Sequence, residues 1–211
     1  MSGCSADARA RRGAQGGWRA VRRLALAAFF AAVLCAPAQA PAVAPDRKPE
    51  LRQIERGRDA AAWKRIATVR AWLPEEYRKR NNFAWAVAKI DGLEKVEYFA
   101  HSGIQDLEAF SAEAREPIAA ISVKPAAETA KFKVLCVNEM GAVDGMDCWL
   151  RNVDTECKIL EDIAARLPDA STAGRIRLFT ELYPCPSCWN VMKQFLAVYT
   201  NVEMQVLYRT P

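Results

Sequence analysis

Ile176-Arg177-Leu178-Phe179-Thr180-Glu181-Leu182, followed at once by Tyr183-Pro184-Cys185-Pro186-Ser187-Cys188, decides how this chain folds. The first seven residues are a strand by composition, and the prolines after them suit the first turn of a helix, where a fixed φ is pre-organised. That helix is expected from Pro184 to about Tyr199, with a last strand over Val202 to Tyr208. Upstream, Ile159, Leu160 and Ile163 share one face of a helix expected from Thr155 to Leu167. The order helix, strand, helix, strand, with helices long enough for crossovers, makes an α/β layered domain.

Working outward, Phe83 to Ile90 and Val96 to Ala100 flank Asp91-Gly92, a strong turn signal, and read as a β-hairpin. Ile118 to Val123 and Phe132 to Val137 are further strand candidates without an evident pairing. The order so far supplies four clear strands, so a fifth is either missing or comes from residues 118–137. From Pro49 the apolar residues Leu51, Ile54, Trp63, Ile66, Val69 and Leu73 recur at spacings near three and four, which predicts a helix ending at Pro74. Residues 46–80 hold eleven basic and six acidic side chains. Such a run is a solvated helix face by default, with a grip on a phosphate backbone as the sharper reading.

The 211 residues carry a formal charge of +5. Six arginines and one acid fall in residues 1–35, which leaves 24 bases against 24 acids in the rest. A balanced body argues against tight binding of long duplex DNA by charge alone. The basic N-terminus has the parts of an export signal: arginines to Arg23, the apolar run Leu24 to Leu34, then Ala36, Ala38 and Ala40. Residues 1–38 are therefore expected to be a secretory signal peptide and 39–48 an Ala/Pro linker. With the leader cleaved, no stable membrane span is expected, because the run is shorter than the roughly 20 residues that cross a bilayer. Cys136, Cys148, Cys157, Cys185 and Cys188 remain. If the last two bind metal, one pair among the other three is free to oxidise after export, and the sequence does not say which.

The chemistry lies at two expected helix starts. Cys185 and Cys188 are three apart in a first turn, so their sulfurs share a face, and the helix N-terminus favours thiolate. Asp154 stands where the preceding helix would be capped, with Glu156 in its first turn. A catalytic zinc takes three protein ligands and keeps a fourth position for water. Asp154, Cys185 and Cys188 supply those three, and Glu156 stays off the metal as the proton shuttle. Nucleobase deaminases carry x-Glu after a leading ligand, then Pro-Cys-x-x-Cys.

Residues from about 80 to the end resemble the bacterial toxin-deaminase family of polymorphic toxin systems, within the nucleic acid/nucleotide deaminase superfamily. The resemblance rests on Asn82-Phe83-Ala84-Trp85-Ala86, Phe99-Ala100-His101-Ser102-Gly103-Ile104, Asp154-Thr155-Glu156-Cys157-Lys158-Ile159-Leu160 and Leu178 through Cys188. It implies a cytidine-deaminase-like mixed central sheet with helices on both faces, and a zinc site between two helix N-termini. It makes residues 81–211 the deaminase domain and 49–80 a basic helical extension. It also makes Asp154 an expected variant of the ligand histidine. The implied activity is hydrolytic loss of an exocyclic amine, most often from cytosine, in nucleic acid or nucleotides, by a secreted toxin that requires a cognate immunity protein. Asn82 resembles the position that contacts a nucleoside sugar. His101, Ser102, Thr180 and Glu181 are expected to line the pocket.

Two other readings compete. Cys-x-x-Cys after a strand also marks a thiol-disulfide oxidoreductase, but only 23 residues follow Cys188, too few for the rest of a thioredoxin fold. A structural zinc domain would need a fourth ligand, for which Cys157 or Cys148 is available.

Overall fold

The computed structural model describes residues 46–210; the expected signal peptide and most of the linker fall outside them. The strands of the main sheet are β1 (Glu50–Gln53), β2 (Phe83–Ile90), β3 (Glu97–His101), β6 (Gly174–Leu182) and β7 (Val202–Thr210). Their order is β1-β7-β6-β2-β3. Strand β7 runs parallel to both β1 and β6, whereas β2 runs antiparallel to β6 and β3. Helices α3 (Thr155–Arg166) and α4 (Pro186–Val198) pack on one face and α1 (Ala60–Arg70) on the other, with a single turn, α2 (Ala112–Arg115), outside the sheet. The mixed sheet with helices on both faces is the expected deaminase-like α/β fold.

Strand alternation decides which side chains can meet. In β2 the small residues Ala84, Ala86 and Ala88 lie under α3 and α4, while Phe83 and Trp85 pack toward α1. In β6, Ile176 and Leu178 face α3 and α4, and Phe179 faces α1. Gly174, at the start of β6, has φ +155°, and a Cβ there would fall 2.2 Å from the Lys89 carbonyl oxygen. Only glycine lets the two strands approach so closely.

Several expectations are corrected. The fifth strand comes from residues 50–53, not from 118–137: Glu50 pairs with Gln205 and Gln53 with Tyr208. Leu51 and Ile54 therefore belong to an edge strand and its exit, and the expected helix from Pro49 begins only at Ala60. Residues 116–118 form a 3₁₀ turn, and Ser122 makes a lone backbone bond to the Phe99 carbonyl. Cys136–Val137 is a two-residue strand, β4, in a separate ribbon with β5 (Trp149–Leu150). That ribbon is closed by a disulfide between Cys136 and Cys148. The hairpin also differs from a two-residue turn. Only Gly92 takes a positive φ, and residues 91–96 form a longer connection while Ile90 stays paired with β6. No helix among the described residues is long and apolar enough to cross a membrane.

Strand β1 is tied to α1 by charge. Arg52 donates twice to the buried Asp59 carboxylate at 2.7 Å, and the Glu55 amide donates to it as well. These bonds hold the Asp59 carboxyl down at about 2 against an ordinary 3.8. A depressed carboxyl pKa stabilises the fold fully above about pH 4, and that contribution fades as the pH falls through 2. Asp59→Asn should thus cost roughly 2 kcal/mol near neutrality. Urea unfolding at pH 7, 4 and 2.5 should show the gap from wild type closing in acid; a gap independent of pH would assign the loss to packing.

Candidate metal centre and active site

The loop after β6 and the first turn of α4 bring Cys185 and Cys188 together, with the Cys185 sulfur accepting from the Cys188 amide. Asp154, at the N-cap of α3, has no capping bond of its own. Its carboxylate instead points across to α4. Asp154 Oδ2 lies 3.2 Å from each sulfur, and the sulfurs lie 3.4 Å apart. Asp154, Cys185 and Cys188 form the group of candidate metal donors among the described residues, all within 4.8 Å of one another. Tetrahedral zinc, with Zn–S near 2.3 Å, would set its sulfurs about 3.8 Å apart, a few tenths beyond this spacing. Three donors that bind as anions, crowded this closely, fit a cation.

Glu156 follows one residue after Asp154 and is buried at 2% exposure. Burial pushes its carboxyl up, the Asp154 charge adds to the rise, and hydroxyl bonds from Thr155 and Thr180 oppose it. Thr155 Oγ1 donates to Glu156 Oε2 at 2.8 Å. Asn82 supports this pair: its amide donates to Thr155 at 2.8 Å and to Thr180 at 3.0 Å, and its oxygen accepts from the Leu182 amide. Ser102 Oγ accepts from the Asn82 backbone N–H. Asn82 and Thr180 therefore join Thr155 in one polar cluster beside Glu156, and Ser102 braces the Asn82 backbone.

His101 and Glu181 do not join it. Alternation turns both toward α1, away from Ser102 and Thr180 beside them. His101 is fully buried, with Nδ1 accepting from the Gly103 amide and Nε2 at 2.9 Å from the Arg80 carbonyl. Burial lowers its pKa and keeps the ring neutral. Glu181 is held by Arg70 and Arg209 and accepts from the Phe83 amide. Both side chains lie on the opposite face of the sheet from the candidate metal donors.

The sequence reading missed Thr155 and Arg151. Thr155 stands between two residues already singled out, and only the fold reveals that Asn82 reaches it. Arg151 precedes Asp154 by one helical turn, and its Nε lies 3.6 Å from Asp154 Oδ2.

The toxin-deaminase family model, described as the BURPS668_1122 family of deaminases, matches residues 66–210. The chain belongs to the toxin-deaminase family. Neither a curated protein nor a solved structure matches it. Membership in a toxin-deaminase family makes the chain a deaminase toxin, and hydrolytic deamination its reaction class. The rival readings lose ground for structural reasons. Cys148 is spent in the disulfide, and Cys157 is buried in the core of α3 with its thiol pushed up to about 12 by burial. Neither provides a fourth protein ligand. Asp154, placed against both sulfurs, suits a toxin deaminase and has no part in thiol-disulfide exchange.

Proposed function

We propose that this toxin deaminase is zinc-dependent and converts cytosine to uracil in nucleic acid or nucleotides. The observation that supports it best is the cluster of Asp154, Cys185 and Cys188 with the buried Glu156 one residue away. Asp154, Cys185 and Cys188 would hold the zinc. When bound, the metal acts as a Lewis acid that makes water a nucleophile near neutral pH.

The protein's own groups do the remaining work. Glu156 takes a proton from the attacking water and passes it to the ring nitrogen of the base. It then takes the remaining proton of the added hydroxyl and delivers it to the departing amine, so that cytosine and water become uracil and ammonia. Thr155 orients the Glu156 carboxylate, and Asn82 holds Thr155. Asn82, Ser102 and Thr180 form the pocket floor. The same reading includes secretion by the leader at residues 1–38 and protection of the producing cell by an immunity protein.

The test is to incubate the protein with single-stranded DNA, duplex DNA, RNA and free nucleotides, and to measure uracil and hypoxanthine by mass spectrometry. Glu156→Gln is the control. Uracil is the expected product, and neither product from any substrate would refute the reading.

Two thiolates and a carboxylate bring zinc to about −1, whereas two thiolates and a neutral histidine leave it uncharged. Asp154→His is therefore expected to retain zinc and part of the activity. Metal analysis checks this, and loss of zinc from that variant would count against Asp154 as a ligand.

A further inference from the structure

We propose that Arg151 is the residue through which this enzyme recognises a substrate phosphate. The assignment rests on the deaminase reading above but concerns a residue outside the metal cluster and the proton shuttle.

Arg151 leaves the disulfide-closed ribbon just after β5, and its amide bonds the Leu135 carbonyl on the opposite side. The guanidinium lies over the Trp149 ring, 4.5 Å from its centroid. It is one-fifth exposed, and its nearest anion is Asp154 at 3.6 Å, beyond hydrogen-bond length. No guanidinium nitrogen of Arg151 makes a hydrogen bond among the described residues, and Nε is buried without a partner. Arg47, Arg52, Arg65, Arg70 and Arg78, by contrast, each donate a hydrogen bond to a carbonyl or a carboxylate. Buried donors are rarely left unmade because their desolvation is not recovered. Arg151 is thus oriented by stacking on Trp149 and by the ion pair of its Nε with Asp154, while its terminal guanidinium nitrogens carry no hydrogen bond among the described residues.

Arg151 lines a cleft of about 780 Å³ together with Asn138, Tyr183, Cys185 and Trp189. One wall is the metal donor Cys185, and Tyr183 and Trp189 give it aromatic surfaces. The volume lies within the range of small-ligand pockets. The N-terminus of α3, whose partial positive charge favours anions, is three residues from Arg151. Glu139 also lines the cleft and carries the opposing charge. A base whose amine is at the metal would place its sugar and phosphate along this cleft. A guanidinium fork on a planar stack is the group best matched to phosphate oxygens.

The competing role is that Arg151 merely steadies Asp154. The two roles differ in what they move. A support for Asp154 would lower zinc content and kcat alike on every substrate. A phosphate contact raises KM for phosphorylated substrates selectively.

The experiment uses the full chain, wild type, Arg151→Gln and Arg151→Lys. It compares kcat/KM for cytidine and deoxycytidine, their 5′-monophosphates, and single-stranded oligonucleotides of both sugars, with zinc content measured throughout. Wild type should favour the phosphorylated members by about tenfold or more, as one charge-assisted bidentate contact would give. Arg151→Gln should bring that ratio toward one through KM with zinc retained, and Arg151→Lys should restore part of it. A ratio lost on monophosphates assigns the contact to the 5′-phosphate; one lost only on oligonucleotides assigns it to a flanking phosphodiester. An unchanged ratio, or an equal fall on all substrates with loss of zinc, overturns the proposal.

Calorimetric binding of UMP and uridine, and of their deoxy forms, needs no turnover. Binding of the monophosphates that is about tenfold tighter, and that Arg151→Gln abolishes, supports the contact even if no substrate is deaminated. In that case the deaminase reading fails while the phosphate site stands. Equal binding of nucleoside and nucleotide, or binding indifferent to Arg151→Gln, removes the site.

Discussion

Glu156→Gln is expected to lower turnover by about 100- to 10,000-fold while leaving bound zinc unchanged. Glutamine keeps the shape of the side chain and can accept the Thr155 hydroxyl bond, but it cannot take up and release a proton at neutral pH. Glu156 is not part of the donor cluster, so metal content should be untouched. The fold should lose nothing, and it gains from removal of a buried group that burial and the Asp154 charge both push away from ionisation. Steady-state deamination, metal analysis and thermal unfolding of the same preparation test all three points. Turnover within tenfold of wild type would show that the proton moves through another group.

The second large effect is on stability. Cys136→Ser combined with Cys148→Ser removes a crosslink that spans 12 positions. Closing a loop of that length stabilises a protein by about 3 kcal/mol through the unfolded chain. Urea unfolding of the double variant should show that loss, and wild type under reductant should fall to the same midpoint. Reductant should leave the variant unmoved, because Cys157 is buried and unpaired and Cys185 and Cys188 are already thiols. Equal midpoints for wild type and variant would mean that the ribbon contributes nothing to global stability. The ribbon otherwise holds itself by few bonds, chiefly Asn138 to Ala142 and Met146, and Asp144 to the Cys136 carbonyl.

The C-terminal half was legible because its signals are local. Strand β6, helix α4 and strand β7 fall within two residues of where composition and proline placed them, as does α3. Strand β1 was not legible. Four residues long, it is defined by a partner at the far end of the chain, and Leu51 and Ile54 stand three apart as they would on a helix. Residues 118–123 and 132–135 have strand composition but add no strand to the main sheet, the Ser122 amide alone bonding edge strand β3 at the Phe99 carbonyl. Ile118, Ile121 and Phe132 are all buried without sheet pairing.

The candidate metal donors could be read from sequence because residue chemistry and helix position restricted them strongly. The pocket could not, for a reason of alternation. His101 ends β3 and Ser102 follows it, while Thr180 and Glu181 are neighbours on β6, so alternation puts only one of each pair on the side of the candidate donors. Parity in β3 and β6, set by Ala100 and Leu178 under the helices, puts Ser102 and Thr180 on the side of α3 and α4. Arg151 and Thr155 carry no sequence signal of their own, and their meaning comes from what Asp154 and Asn82 reach in space.

The pairing of β1 with β7 also bears on when this toxin can become active. Glu50 meets Gln205 across 155 positions, and β7 follows both Cys185 and Cys188 in the chain. Cys185 and Cys188 stand 135 and 138 positions after Glu50. Neither the sheet nor the metal cluster can close on a partial chain, and contacts so distant in sequence form slowly. Until β7 has been made, the nascent domain therefore lacks the strand that β1 and β6 share, and its candidate metal donors have no closed sheet to hold them together.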